Sequence, residues 1–172
     1  MIHFRRLSEK RFRFGFLTGI LFGIGALFAY GTFATQAPET NLTGMKVVDL
    51  DGQRIALDDL RGKPVLINFF ATWCGPCIEE MPDLVEMQEK SATEGWTILL
   101  VSDEPVSTIQ AFSDKRNWPL HYAHLPYPMS RYEVGSIPTT YLLNAEGEIV
   151  YSRTGPAPWG GDRFMNKLRA LL

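Results

Sequence analysis

Cysteine is scarce in this sequence: the chain of 172 residues contains two, Cys74 and Cys77, with two residues between them. A disulfide between them closes so short a loop that it hardly restricts the unfolded chain, and it would therefore add little stability. A purely structural bridge is a poor explanation for the pair. The spacing instead suits two thiols that alternate between the dithiol and the disulfide state.

Charge is absent from residues 15–34, which follow a basic leader at 1–14 with a net charge of +4. Twenty helical residues span about 30 Å, the thickness of the hydrocarbon core of a bilayer. Because no clear Ala-x-Ala site follows the run, we expect an uncleaved transmembrane anchor; a signal peptide cleaved after the weak site TFA at 32–34 is the alternative. Basic residues ahead of the run predict a cytoplasmic N-terminus and a domain outside the bacterial inner membrane, in the periplasm or its equivalent.

Residues 15–172, beyond the basic leader, have no surplus of basic residues. The whole sequence has a net charge of −2, so the part beyond the leader carries −6. An acidic domain argues against nucleic acid or anionic lipid as a partner. We therefore expect the anchor, and no basic patch, to hold the protein at the membrane.

Repeats and low-complexity blocks are also missing after the leader and anchor. Residues 35–43 are polar and contain Pro38, which is typical of a short linker, and residues 44–172 read as one domain. Hydrophobic patterning predicts a β-hairpin at 45–60, strands at 63–70 and 96–102, helices at 74–90, 105–117 and 161–172, and a second hairpin at 139–144 and 148–153. This order predicts an α/β domain with a mixed central sheet, helices on both faces and an N-terminal hairpin extension.

The two cysteines stand where a buried strand gives way to a helix. Backbone N–H groups and the dipole at a helix N-terminus favour an anion, so we expect a lowered pKa for the Cys74 thiol. Cys77 comes one turn later on the same helix face and can close a disulfide. Pro76 in the first turn costs no needed hydrogen bond. The pattern predicts an exposed nucleophile, Cys74, beside a shielded Cys77.

Zinc-type ligand spacing is lacking as well, although His121 and His124 add a second pair of possible ligands. Zinc-finger histidines usually follow their cysteines by about 12–15 residues, and these two come much later. We expect no bound metal and assign the histidines to the surface. A copper- or zinc-delivery module that uses the cysteine pair and one histidine is the alternative function.

Two blocks, NFFATWCGPCIEEMP at 68–82 and GSIPTTYLLNAEGEI at 135–149, resemble the membrane-anchored thioredoxin-like reductases of the TlpA/ResA type, which are relatives of the cytochrome c maturation thioredoxins. The resemblance runs from about Gly44 to the C-terminus and implies a thioredoxin-like fold. It implies that Cys74 attacks, that Cys77 resolves, and that Pro138 is a cis-proline facing them. It also implies a substrate-binding surface, formed by Trp73, Gly75, Pro76, Ile137 and Pro138.

Glu80 matches the active-site glutamate of that family in the pattern Cys-x-x-Glu-x-Pro. Asn68 stands where cytoplasmic thioredoxins have a buried aspartate, so Glu80 is expected to replace that proton acceptor. The peroxiredoxin pattern Pro-x-x-x-Thr-x-x-Cys is lacking, because Ile67 and Ala71 occupy its proline and threonine positions. Peroxidase chemistry is therefore disfavoured.

These observations predict a single-pass, membrane-anchored thiol-disulfide oxidoreductase that needs no cofactor. We expect it to reduce disulfides of exported proteins, with apocytochrome c among the candidate substrates. A reductase in an oxidising compartment needs electrons, so a membrane thiol relay is the expected donor.

Overall fold

A computed structural model describes residues 16, 19–27, 29, 40–42 and 44–172. Within 44–172 the strands are β1 (Lys46–Asp49), β2 (Arg54–Ala56), β3 (Val65–Phe69), β4 (Thr97–Ser102), β5 (His121–His124), β6 (Thr139–Leu143) and β7 (Ile149–Thr154). The α-helices there are α1 (Gly75–Ser91), α2 (Val106–Arg116) and α3 (Asp162–Arg169). Short 3-10 helices lie at Leu57–Leu60, Ala92–Glu94 and Met129–Tyr132.

The strands of residues 44–172 form one mixed sheet in the order β2-β1-β5-β4-β3-β6-β7. Strand β4 pairs in parallel with β3 and β5, whereas β1–β2 and β6–β7 are antiparallel hairpins at the two ends. Every residue of β3 is buried, as expected for a central strand covered on both faces. The predicted mixed sheet and its N-terminal hairpin are confirmed.

Strand β5 is an element that the sequence analysis did not predict. Its four residues include two histidines and no apolar run, so they carry little strand signal of their own. They become a strand because β4 and β1 lie on either side and bond to them. The sheet therefore gains a third parallel strand between the hairpin extension and the central pair.

The α-helices cover one face of the sheet, although we expected helices on both. Leu84 of α1, Phe112 of α2 and Met165 of α3 belong to one buried cluster, and burial of each such side chain contributes about 1.5–3 kcal/mol. The other face packs against the 3-10 helices Leu57–Leu60 and Met129–Tyr132. Both crossovers advance in the same direction along the sheet, from β3 to β4 and from β4 to β5, so right-handed connections put α1 and α2 on the same side.

The N-terminal segment is described only in part. Residues 16, 19–27 and 29 are helical, while the leader at 1–14 and much of the predicted anchor at 15–34 lie outside the described residues. None of the helices in the described part is both long and apolar enough to cross a bilayer. Residue contacts divide the chain between Gln36 and Ala37.

The end of the predicted linker contacts the domain. Thr40 Oγ1 donates a hydrogen bond to the carbonyl oxygen of Tyr132 at 2.6 Å. Leu42 is 3% exposed and belongs to the buried cluster on the sheet face opposite the α-helices. These residues fasten the start of the domain to the Met129–Tyr132 segment.

Candidate active site

The two cysteines form a disulfide at the start of α1, with their Cα atoms 5.3 Å apart. Cys74 is the N-cap residue, in an extended conformation, and its Sγ accepts a hydrogen bond from the backbone N–H of Cys77 at 3.3 Å. Pro76 occupies the first turn, where an N–H would have no partner within the helix. The sulfur of Cys74 is thus placed among the free N–H groups of a helix N-terminus.

The exposed fractions of the two cysteines differ less than we expected. Cys77 is 0% exposed, as predicted, but Cys74 is only 5% exposed, so the prediction of an exposed Cys74 is wrong for the disulfide state. The physical reason is that Cys74 packs in the buried cluster that also contains Ala71, Cys77 and Trp159. The neighbours Gly75 and Pro76 are exposed, and Trp73 is 75% exposed, so access to the disulfide lies along these residues.

The peptide bond between Ile137 and Pro138 is cis, which confirms the prediction for that bond. Pro138 is buried directly before β6, and Ile137 is half-buried. A groove of about 220 Å³ lies here, lined by Ala71 and Trp73 ahead of the cysteines, by Asp103, and by five residues of the 129–137 segment: Met129, Val134, Gly135, Ser136 and Ile137. We call it the active-site groove. It brings the predicted substrate-binding residues Trp73 and Ile137 to one place.

Glu80 lies on the buried face of α1 and is 3% exposed. Its Oε1 accepts from Asn68 Nδ2 at 2.7 Å, and its Oε2 accepts from Trp159 Nε1 at 2.8 Å and from the Ala157 N–H at 3.2 Å. Burial raises the pKa of Glu80 above its ordinary value, and these hydrogen bonds together with Arg153 oppose part of that rise. A buried carboxyl group with a raised pKa, on the helix that carries the cysteines, is suited to accepting and releasing a proton.

Asn68 completes the polar site around Glu80. Its Nδ2 also donates to Thr140 Oγ1 at 2.9 Å, while its buried Oδ1 has no hydrogen-bond partner among the described residues. A protonated Glu80 would need a hydrogen-bond acceptor. If the Asn68 side-chain amide rotated by half a turn, its Oδ1 would face Glu80 and accept this bond. Asn68 can therefore serve both charge states of Glu80 without a change in its own charge.

Trp159 and Ala157 were missed by the sequence analysis. They lie in the segment between β7 and α3, far from Glu80 in sequence, and Trp159 is 0% exposed. A tryptophan in a segment rich in proline and glycine has no spacing relation to the cysteine motif. Only the fold brings its indole N–H to the carboxylate.

Glu104 was missed as well. Its Oε2 accepts from the Thr72 N–H at 2.7 Å and from Ser102 Oγ at 3.0 Å, and its Oε1 accepts from Thr72 Oγ1 at 2.8 Å. Thr72 comes directly before Trp73, so this carboxylate holds the segment that leads into the cysteines. Acidic residues after a strand are common, and no sequence signal singles this one out.

The histidines do not form a pair. His121 is exposed and His124 is half-buried, and an odd separation along β5 turns their side chains to opposite faces of the sheet. The Nδ1 of His124 lies 2.8 Å from the carbonyl oxygen of Glu104. Across the described residues, no three side chains of His, Cys, Asp or Glu are grouped so as to hold a metal ion.

Comparison with known proteins agrees with this geometry. The model of the AhpC/TSA family matches residues 33–152. The thiol-disulfide oxidoreductase ResA of Halalkalibacterium halodurans is 32% identical over 157 residues, which cover 86% of this chain and 89% of that protein. The chain belongs to the AhpC/TSA family, as a ResA-type thiol-disulfide oxidoreductase. ResA of Bacillus subtilis is 34% identical over 110 residues, covering 62% of this chain and 62% of that protein.

Solved structures agree with the ResA-type assignment at the level of the fold. A thiol:disulfide interchange protein of the thioredoxin family from Chlorobium tepidum has a TM-score of 0.61 at 26% identity, covering 80% of this chain and 97% of its own. The thioredoxin domain of a thiol-disulfide oxidoreductase from Bacteroides vulgatus has a TM-score of 0.65 at 22% identity, covering 78% and 98%. The domain therefore has the thioredoxin-like fold, and the ResA-type enzyme exchanges thiols and disulfides.

Proposed function

We propose that the enzyme reduces disulfide bonds of exported proteins, with Cys74 as the attacking thiol and Cys77 as the resolving thiol. The observation that carries this proposal is the position of Cys74 as the N-cap of α1, with its sulfur hydrogen-bonded to a helix N–H and its partner Cys77 fully buried. A helix N-terminus stabilises the thiolate that attack requires. Only Cys74 holds the N-cap position, and Cys77 is close enough to attack its sulfur and resolve the mixed disulfide.

The reaction passes two electrons from the dithiol to the substrate. The Cys74 thiolate attacks one sulfur of the substrate disulfide, which forms a mixed disulfide and releases the other substrate sulfur as a thiolate that takes up a proton. Cys77 then gives its proton to Glu80 and attacks Cys74 Sγ. This step closes the Cys74–Cys77 disulfide and releases the second substrate thiolate. A dithiol donor must then reduce the enzyme again, and we propose a membrane thiol relay.

The active-site groove supports an extended polypeptide as substrate. Trp73 offers a large exposed ring on one side, and the backbone of Ile137, beside the cis bond, offers groups with which a substrate strand can pair. Gly75 and Pro76 present little side-chain bulk between the cysteines. Apocytochrome c is one candidate among such substrates, because the sequence resembles relatives of the cytochrome c maturation thioredoxins.

We also propose that residues 15–34 anchor the enzyme in the inner membrane of a bacterium, with residues 1–14 in the cytoplasm and the domain outside. The uncharged run and the basic leader support this orientation. Alkaline phosphatase, which is active only after export, should be active when fused after Leu172 and inactive when fused after Phe14. A stable, membrane-bound Leu172 fusion without activity would contradict this orientation.

The reduction potential tests the direction of electron flow. Because Gly75 and Pro76 are the residues found between the cysteines of thioredoxin, we expect a potential below about −200 mV, toward the thioredoxin end of the known range. Equilibration of the full-length protein in mild detergent with reduced and oxidised dithiothreitol, followed by alkylation and mass measurement, gives this value. A potential near that of the strong periplasmic oxidants, about −120 mV, would make the enzyme an oxidant.

A further inference from the structure

Asp103 and Glu104 follow β4 and hold the two segments that line the active-site groove. Glu104 accepts both the backbone N–H and the hydroxyl of Thr72, so it fixes the residue next to Trp73 at two points. Asp103 Oδ2 accepts the N–H of Met129 at 3.0 Å, at the start of the segment that leads to Ile137 and Pro138. Two consecutive residues thus fasten two segments that are distant in sequence.

Hydrogen bonds to two neighbouring strands hold the base of this arrangement. Ser102, the last residue of β4, is 0% exposed, and its hydroxyl donates to Glu104 Oε2 while accepting the N–H of Glu104 at 3.2 Å. The Nδ1 of His124 in the neighbouring strand lies within hydrogen-bond distance of the Glu104 carbonyl. The acidic pair is therefore fixed to two adjacent strands of the central sheet, and movement of either groove segment would break hydrogen bonds to it.

We propose that Asp103 and Glu104 are positioning residues that set the separation and register of the Trp73 segment and the Ile137 segment, and so determine how well an extended polypeptide binds beside Cys74. This inference rests on the proposed function, because it assumes that the groove receives the substrate chain. Neither carboxylate takes part in sulfur exchange. Their role is to preorganise the groove, so that a peptide does not have to order the two segments when it binds.

The test uses an octapeptide with a central cysteine linked by a disulfide to 5-thio-2-nitrobenzoate. The reduced full-length enzyme in mild detergent attacks the peptide sulfur, and the coloured thiolate that leaves reports the rate. Glu104→Ala should raise the half-saturating peptide concentration about tenfold, which is the cost of ordering one or two side chains, while the limiting rate changes much less. Asp103→Ala should act in the same direction.

Conservative variants separate positioning from general stability. In Glu104→Gln the amide oxygen can accept from Thr72 N–H and Ser102, and the amide nitrogen can donate to Thr72 Oγ1, so this variant should restore most of the binding. Thr72→Val removes only the hydroxyl contact and should give an intermediate increase even if Glu104→Ala folds poorly. Glu146→Ala, a change at an exposed carboxylate in the β6–β7 turn, is the matched control and should bind like the wild type.

The outcomes distinguish a failure of the positioning role from a failure of the proposed disulfide chemistry. If the wild type releases no coloured thiolate from the peptide, the proposed disulfide chemistry is wrong. If the wild type reacts and Glu104→Ala and Thr72→Val keep its half-saturating concentration, the positioning role is wrong. If Glu104→Gln is as impaired as Glu104→Ala, the charge of Glu104 matters and its hydrogen-bond geometry does not, which also overturns the proposal.

Discussion

Cys77→Ser is expected to accumulate disulfide-linked adducts when the full-length variant is expressed in its native host. Cys74 can still attack a substrate disulfide, but serine at 77 cannot release the product, so the mixed disulfide persists. Cys74→Ser should trap at least about tenfold less, because the remaining thiol is fully buried and lacks the helix N-cap position. Non-reducing electrophoresis and mass spectrometry of the tagged protein would measure the adducts and identify the substrates.

The variant with serine at both 74 and 77 is the control for non-covalent association, and it should trap nothing that disappears on reduction. Equal trapping by the two single variants would contradict the division of roles between the thiols. If neither traps anything in a folded and exported protein, the metal-delivery alternative gains weight. Stoichiometric copper or zinc binding that is lost in His121→Ala and His124→Ala, without disulfide reductase activity, would then establish that alternative.

The sequence predicted the elements whose signal is local. Strand β3 is a continuous apolar run, and α1 combines a helical apolar period with a proline in its first turn, so both could be placed without knowledge of their neighbours. The cis bond before Pro138 followed from the family resemblance. The cysteine pair was found because its spacing has few chemical explanations.

The parts that were missed depend on residues distant in sequence. Strand β5 exists because its neighbours bond to it, and the placement of the α-helices on one face follows from strand order, which local patterns do not contain. Trp159 contacts Glu80 across 79 positions, and Glu104 contacts Thr72 across 32. Single tryptophan or glutamate residues in loops give no sign of such partners, so the second half of the candidate site required the fold.

Glu80 experiences two opposing influences, and their balance makes a pH-dependent prediction possible. Its three hydrogen-bond donors, on Asn68, Trp159 and Ala157, suit an ionised carboxylate, which only accepts. Burial favours the neutral form and outweighs these hydrogen bonds, so the pKa of Glu80 in the folded protein is raised. The contribution of Glu80 to stability is then fully present below its unfolded pKa and is lost as the pH rises through the folded pKa.

Glu80→Gln should slow the resolving step about 10²-fold, the usual size of a lost general base. The step can be isolated with 5,5′-dithiobis(2-nitrobenzoic acid): the first coloured thiolate leaves when Cys74 attacks, and the second leaves when Cys77 attacks Cys74. In the wild type the second phase should accelerate as Glu80 ionises, above the ordinary glutamate range, and Glu80→Gln should lack this acceleration. The melting temperature of Glu80→Gln relative to the wild type should rise with pH across the same range.

Trp159→Phe tests whether the ionisation of Glu80 causes this acceleration, since it removes one donor to Glu80 Oε2 and keeps an aromatic ring in the core. With less support for the carboxylate, the pKa of Glu80 should rise further, and the acceleration of the second phase should move to higher pH while its plateau is kept. Trp118→Phe, which changes a half-buried ring packed on Phe112, should leave the profile in place. If Glu80→Gln resolves at the wild-type rate at every pH, Glu80 is a structural acid for the Trp159 segment, and Cys77 gives its proton directly to solvent.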